Sequence, residues 1–184
     1  MPMSMGIRHS FRLAAYVAGV AIGLAALPAH AASRQATVRT AIRGALTLSN
    51  STPLDFGKII RGTAAGTVTI NPQTGARTSA GGVIPIGTGF SRAAFSASGT
   101  ANTLVRITVA SGTITVRRVS GTQTMAINTL RLSADGSAPR TVNHNRTLPA
   151  TGTVNFAIAG RLNVAANQVA GVYAGTFAVT VNYQ

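Results

Sequence analysis

An all-β chain folded as an antiparallel β-sandwich is predicted by three observations. Apolar residues alternate with polar ones at period two along most of the chain, which places successive side chains on opposite faces of a pleated strand. Clusters of glycine with serine, asparagine or aspartate interrupt these runs at short intervals, as close turns between short strands require. Past the first thirty or so residues no stretch sustains a helical period. Runs of strands without intervening helices bury their apolar faces by packing sheet on sheet.

The chain opens on an export signal. Arg8 and Arg12 form a basic n-region, Leu13 to Leu27 is an uncharged apolar run, and Ala29-His30-Ala31 fits the small-residue cleavage rule. Residues 1–31 are therefore expected to be removed, leaving 32–184 as a single β-sandwich domain. The apolar run is short for a bilayer span and no stop-transfer segment follows. Secretion without a transmembrane anchor is the expectation, to the periplasm, cell surface or medium.

Ala36, Val38, Thr40, Ile42, Gly44, Leu46 and Leu48 share one phase, and Gln35, Thr37, Arg39, Ala41 and Arg43 share the other. That alternation predicts a strand over residues 32–49. It could pair inside its own sheet, as sequential strands usually do, or be donated to a neighbouring molecule by β-strand addition. In the second case Val38, Ile42, Leu46 and Leu48 are the residues that insert.

Turns are expected at Gly62 to Gly66, Asn71 to Gly75, Gly81-Gly82, Gly87 to Gly89, Ser98-Gly99, Ser111-Gly112, Ser120-Gly121 and Asp135-Gly136. Between them, Val105, Ile107 and Val109 alternate with Arg106 and Thr108, and Ile114 and Val116 with Thr115 and Arg117. The apolar phase slips by one residue between Ile127 and Leu130, which calls for a bulge at Asn128-Thr129. The polar segment Ser133 to Thr151, with Pro139 and Pro149, is expected as a surface loop. Val154, Phe156, Ile158, Leu162 and Val164 then share a phase, as one bent strand or as two broken near Gly160.

The last stretch, Gly171 to Gln184, alternates Tyr173, Phe177, Val179, Val181 and Tyr183 against Ala174, Thr176, Ala178, Thr180 and Asn182. It is expected to be one terminal strand suited to assembly. A glycine fourteenth from the C terminus and a penultimate tyrosine resemble the terminal signature of chaperone-usher pilins. By that resemblance Gly171, Tyr173, Phe177, Val179, Val181 and Tyr183 form the assembly strand, and a periplasmic chaperone or a second copy is the partner.

Charge is the other pronounced feature. Sixteen lysines and arginines face two carboxylates in the full chain. Without Arg8 and Arg12, fourteen remain against Asp55 and Asp135, giving +12 with histidine neutral, and all but Lys58 are arginine. Such a field attracts anionic polymers in a salt-dependent way, lipopolysaccharide and acidic polysaccharide among them. Arg106, Arg117, Arg118 and Arg161 are the candidate contacts on strand faces. A dedicated nucleic-acid site is not expected, because the arginines are scattered and no stacking aromatics lie between them.

The residue inventory argues against chemistry. No cysteine is present, which removes disulfides, thiolate metal sites and thiol nucleophiles. After the signal only His144, Asp55 and Asp135 remain for acid-base work, without a G-x-S-x-G elbow. Two scattered aspartates do not make a metal site. Gly87-Thr88-Gly89 begins a glycine-rich pattern that fails at Arg92. No catalytic residue, metal or cofactor is expected, and the aromatic residues are read as core.

From Leu54 onward the chain resembles a bacterial exported family, the domain of unknown function 4402. The resemblance rests on LDFGKIIRGTAAGTVTINPQTGARTSAGGV (Leu54 to Val83), GTGFSRAAFSASG (Gly87 to Gly99) and LNVAANQVAGVYAGTFAVTVNYQ (Leu162 to Gln184). It implies an immunoglobulin-like, pilin-like antiparallel β-sandwich without an assigned activity. It carries no catalytic or ligand residue to this chain. Arg61, Arg92 and Arg106 depart from the neutral or acidic residues that the resemblance leads one to expect.

Overall fold

The computed structural model describes residues 39–110 and 112–184. The expected export signal, Val38 and Ser111 lie outside the described residues. Twelve strands and no helix are present among those described: β1 Thr47–Thr52, β2 Lys58–Ile70, β3 Arg77–Ile86, β4 Ala93–Ser98, β5 Leu104–Val109, β6 Ile114–Arg118, β7 Thr124–Ala134, β8 Arg140–Thr141, β9 His144–Thr147, β10 Thr153–Val164, β11 Tyr173–Ala174 and β12 Val179–Tyr183. Every pairing is antiparallel.

Nine strands form one sheet in the order β1-β4-β10-β7-β6-β11, with β2 on β10, β3 on β2 and β8 on β7. The other three form a second sheet, β12-β5-β9. Strand β10 organises the large sheet. Its first half pairs β4 and its second half β2, while β7 runs along its other edge. The even phase read from the sequence is the inward one: Val154, Phe156, Ile158, Leu162 and Val164 are all buried. They meet Val105, Ile107 and Val109 from β5 in one core cluster, so both sheets contribute to a shared interior.

β10 is a single strand, and the expected bulge sits beside Gly160. The β10–β7 register shifts between Ala159 and Arg161, and Thr129 takes a left-handed φ of 51°. A side chain at position 160 would meet the Asn128 carbonyl at 2.8 Å, so glycine lets the bulge close against β10.

Three expectations are corrected. Gly62 to Gly66 and Gly81-Gly82 are not turns: they lie inside the long β2–β3 hairpin, whose register shifts between Arg61 and Gly66. Backbone approaches across this hairpin are close, since a Cβ on Gly82 would sit 2.3 Å from the Ala64 carbonyl oxygen. The glycines therefore serve strand contact, while the reversal comes from Asn71 to Gly75, where Asn71 Oδ1 accepts from the Gln73 and Thr74 amides. The segment Ser133 to Thr151 is not a bare loop, because it carries β8 and β9, and β9 pairs β5. Its residues are polar because both strands lie at edges.

The third correction concerns the C-terminal stretch, which is not one strand. Tyr173–Ala174 pairs β6 in the large sheet, and Val179–Tyr183 pairs β5 in the small one. Residues 175–178 carry the chain between sheets, with Phe177 edge-on to Phe95 at 6.4 Å between centroids. Alternation continues through the crossing because side chains on both sides of it face the same interior.

Candidate functional site

Among the described residues, strand β12 has a partner on one side only. Ala110 donates to the Ala178 carbonyl at 3.0 Å and Gln184 donates to the Leu104 carbonyl at 3.0 Å, which sets the hydrogen-bonding phase of the β12–β5 pair. Even-numbered residues of β12 turn their backbone groups toward β5. The N–H and C=O groups of Val179, Val181 and Tyr183 therefore point to the free edge. Their side chains point inward and are half-buried, while the β5 residues opposite, Val109, Ile107 and Val105, are at most 2% exposed. Among the described residues no strand pairs this edge, the Tyr183 carbonyl accepts from the Gln184 side-chain amide at 3.2 Å, and the β12 side chains are less covered than their β5 partners.

An apolar groove of about 1010 Å³ opens further along the interior. Its floor is the inner face of the large sheet, including Phe95, Ile114, Val116, Ile127 and Leu162. One wall is the segment from Pro53 to Ile59 and the other runs from Val169 to Phe177. Arg77 anchors the first wall: it donates to the Phe56 carbonyl at 2.9 Å and the Gly87 carbonyl at 2.7 Å, with its guanidinium carbon 4.2 Å from the Phe90 centroid. Arg118 anchors the second by donating to the Ala170 carbonyl at 2.9 Å.

The two chain ends meet at Tyr183. Its hydroxyl accepts from the Thr100 amide at 2.7 Å and donates to the Gly44 carbonyl at 3.0 Å. Gly44 in turn donates to Thr100 Oγ1 at 2.7 Å. Arg43 lies over the ring at 5.2 Å and donates to the Gln184 carbonyl at 3.1 Å. The Thr100 hydrogen bonds, from side chain and then backbone, lower the Tyr183 pKa, and the Arg43 charge acts in the same direction. These contacts fix where the N-terminal segment leaves the folded body.

The structure places the expected insertion residues differently from one another. Ala41 to Leu46 carries no strand, contrary to the expected alternating strand, and Ile42 is 92% exposed. Leu46 packs on its own core. Leu48 belongs to β1, opposite Ala97 of β4, so its own sheet already uses it. Val38 lies outside the described residues. Of the C-terminal candidates, Val179, Val181 and Tyr183 share the free-edge strand, whereas Tyr173 stands in β11 and donates to the Val169 carbonyl at 2.7 Å. Gly171 has a local reason to be glycine: its φ is 150°, and a Cβ there would lie 2.5 Å from Arg118 Nε.

The four arginines expected to bind anionic polymer are divided between the two sheets. Arg106 points outward from the small sheet, in register with Asn182 and Asn145. Arg161 is exposed on β10 of the large sheet. Arg117 donates to the Gly121 carbonyl at 3.1 Å, and Arg118 to the Ser120 and Ala170 carbonyls. Charge that looks available in the sequence is partly spent on backbone oxygens. The two carboxylates are each engaged locally: Asp55 accepts from the Gly57 amide at 2.7 Å, and Asp135 pairs with Arg146 at 2.9 Å. No group of three metal-ligating side chains occurs among the described residues.

The described residues thus define an all-β protein of paired antiparallel sheets with an open strand edge. Residues 46–183 match the sequence profile of the domain of unknown function DUF4402, and the chain belongs to that family. No curated protein matches the chain.

Proposed function

We propose that this protein is an exported structural subunit of a surface fibre, an incomplete immunoglobulin-like sandwich that is completed by a strand from a neighbouring copy. An immunoglobulin sandwich has one sheet in the order A-B-E-D facing a sheet of C, F and G. The order β1-β4-β10-β7 fits the first, and the pair β5-β12 fits C and F. Among the described residues nothing stands in the place of G, on the free side of β12. The β2–β3 hairpin is an insertion between the first two strands of this scheme.

The observation that carries the proposal is the unpaired edge of Val179, Val181 and Tyr183 above half-buried side chains. An added strand would satisfy those backbone groups and cover the apolar surface at once. The donor is the segment that leaves at Gly44, with Ile42 and Val38 as inserting residues in place of the engaged Leu46 and Leu48. Repeated head-to-tail addition gives a filament, because the contact is heterologous. A periplasmic chaperone would occupy the same edge before assembly.

The test is a variant beginning at Arg43, which keeps β1 and the Tyr183 contacts, mixed with a synthetic peptide of residues 32–42. The proposal expects the peptide to bind and raise Tm, and thin fibres of the intact protein at its cell surface. A variant that ignores the peptide, together with a monomeric intact protein, overturns it.

A further inference from the structure

Two arginines and a histidine lie near one another where the small sheet meets the edge of the large one. His144 and Arg146 are alternate residues of β9, paired with Ile107 and Val105 of β5, both fully buried. Their side chains therefore share the inward face of the small sheet. Arg140 of β8 pairs with Leu132, which is 1% exposed on the inward face of β7. It thus approaches the same spot from the opposite sheet. The only carboxylate there is Asp135, whose Oδ2 is held by Arg146 at 2.9 Å and whose Oδ1 accepts from the Asn155 amide at 3.1 Å.

The donors at this spot outnumber their acceptors. Arg146 Nε is buried without a hydrogen-bond partner. A buried N–H left unmatched is costly, and one in a native structure signals a missing water or ion. Arg106 of the adjacent β5 faces the other side of the sheet and takes no part. Partial burial lowers the His144 pKa, and the charges of Arg140 and Arg146 lower it further, consistent with their convergence.

We infer that Arg140, His144 and Arg146 form a binding site for a single oxyanion, a sulfate, phosphate or carboxylate group such as an acidic saccharide presents. Arg146 Nε and the Arg140 guanidinium donate to it, and His144 adds a third donor once protonated. The site uses none of the four arginines singled out in the sequence. It is also separate from the free edge of β12, so it stands or falls independently of fibre assembly.

The test follows the His144 ring by NMR in the mature protein, assigned through His144→Gln, during titration with sodium sulfate, sodium phosphate and sodium acetate. Sodium chloride at matched ionic strength controls for screening. At least one oxyanion should raise the His144 pKa by about one unit beyond the chloride control. Arg140→Gln should weaken that binding roughly tenfold, and Arg161→Gln should leave it unchanged. If all three oxyanions act like chloride, or if the two arginine variants behave alike, the site does not exist. Binding by sulfate and phosphate but not acetate assigns a tetrahedral ligand, and the reverse assigns a carboxylate.

Discussion

The two ends of the shared interior are closed by different means. In the core that β5 shares with β10, strand residues fill the interior, and Val105, Ile107, Val154 and Ile158 are fully buried. Along β6 and part of β7, irregular segments flank an apolar groove whose floor includes Ile114, Val116 and Ile127. There, arginines bonded to carbonyl oxygens hold the walls together with packed side chains such as Phe56 and Phe177. The contrast teaches that this fold is stabilised mainly from one end. The free edge of β12 belongs to the small sheet and is separate from this groove, whose lining ends at Phe177.

The largest expected effect comes from hollowing the closed end. Ile107→Ala or Ile158→Ala should cost about 2–5 kcal/mol in urea unfolding, whereas Val116→Ala on the groove floor should cost under about 1 kcal/mol. Equal losses would erase the distinction between the two ends. Next, Arg77→Gln removes charged hydrogen bonds to the Phe56 and Gly87 carbonyls and should cost about 1.5–3 kcal/mol by the same measurement. Exposed Arg161→Gln should stay within about 0.5 kcal/mol of the parent. If Arg161 matters as much as Arg77, the arginines act through net charge and not through the carbonyls they hold.

A smaller effect is expected at Tyr183. Tyr183→Phe deletes the hydroxyl that bridges Thr100 and Gly44, and should lower Tm and speed exchange of the Thr100 amide without disturbing β5. The smallest is a pH dependence at His144. Its folded pKa lies below the usual 6.5, so the unfolded chain holds more protons in that range and stability rises with pH. The contribution is complete above about 6.5 and disappears as pH falls through the lowered folded value. His144→Gln should flatten that acid limb of a Tm-against-pH curve, and an unchanged limb would remove the histidine from the account.

Much of the strand content was legible because inward phases are written in the sequence. The buried phase of β10, the bulge at Asn128-Thr129 and the outward Arg106 all follow from alternation alone. Pairing was not legible. Tyr173 and Val181 share a phase but lie in different sheets, since period two reports which face is buried and says nothing about the neighbouring strand. Glycines at 62, 66, 81 and 82 signalled turns in isolation, although they permit close backbone contact inside a hairpin. Polar β8 and β9 were hidden because edge strands need little apolar surface. The convergence of Arg140 with His144 and Arg146 depends on two sheets meeting, which no spacing within the chain encodes.

Amide hydrogen exchange along β12 tests the central claim most directly. In the protein before assembly, the amides of Val179, Val181 and Tyr183 should exchange much faster than those of Thr180 and Asn182, which face β5. Binding of the residue 32–42 peptide, or incorporation into a fibre, should protect the first set and leave the second unchanged. Uniform protection along β12 in the unassembled protein, or no change when the peptide is added, would contradict an edge kept open for a neighbour's strand.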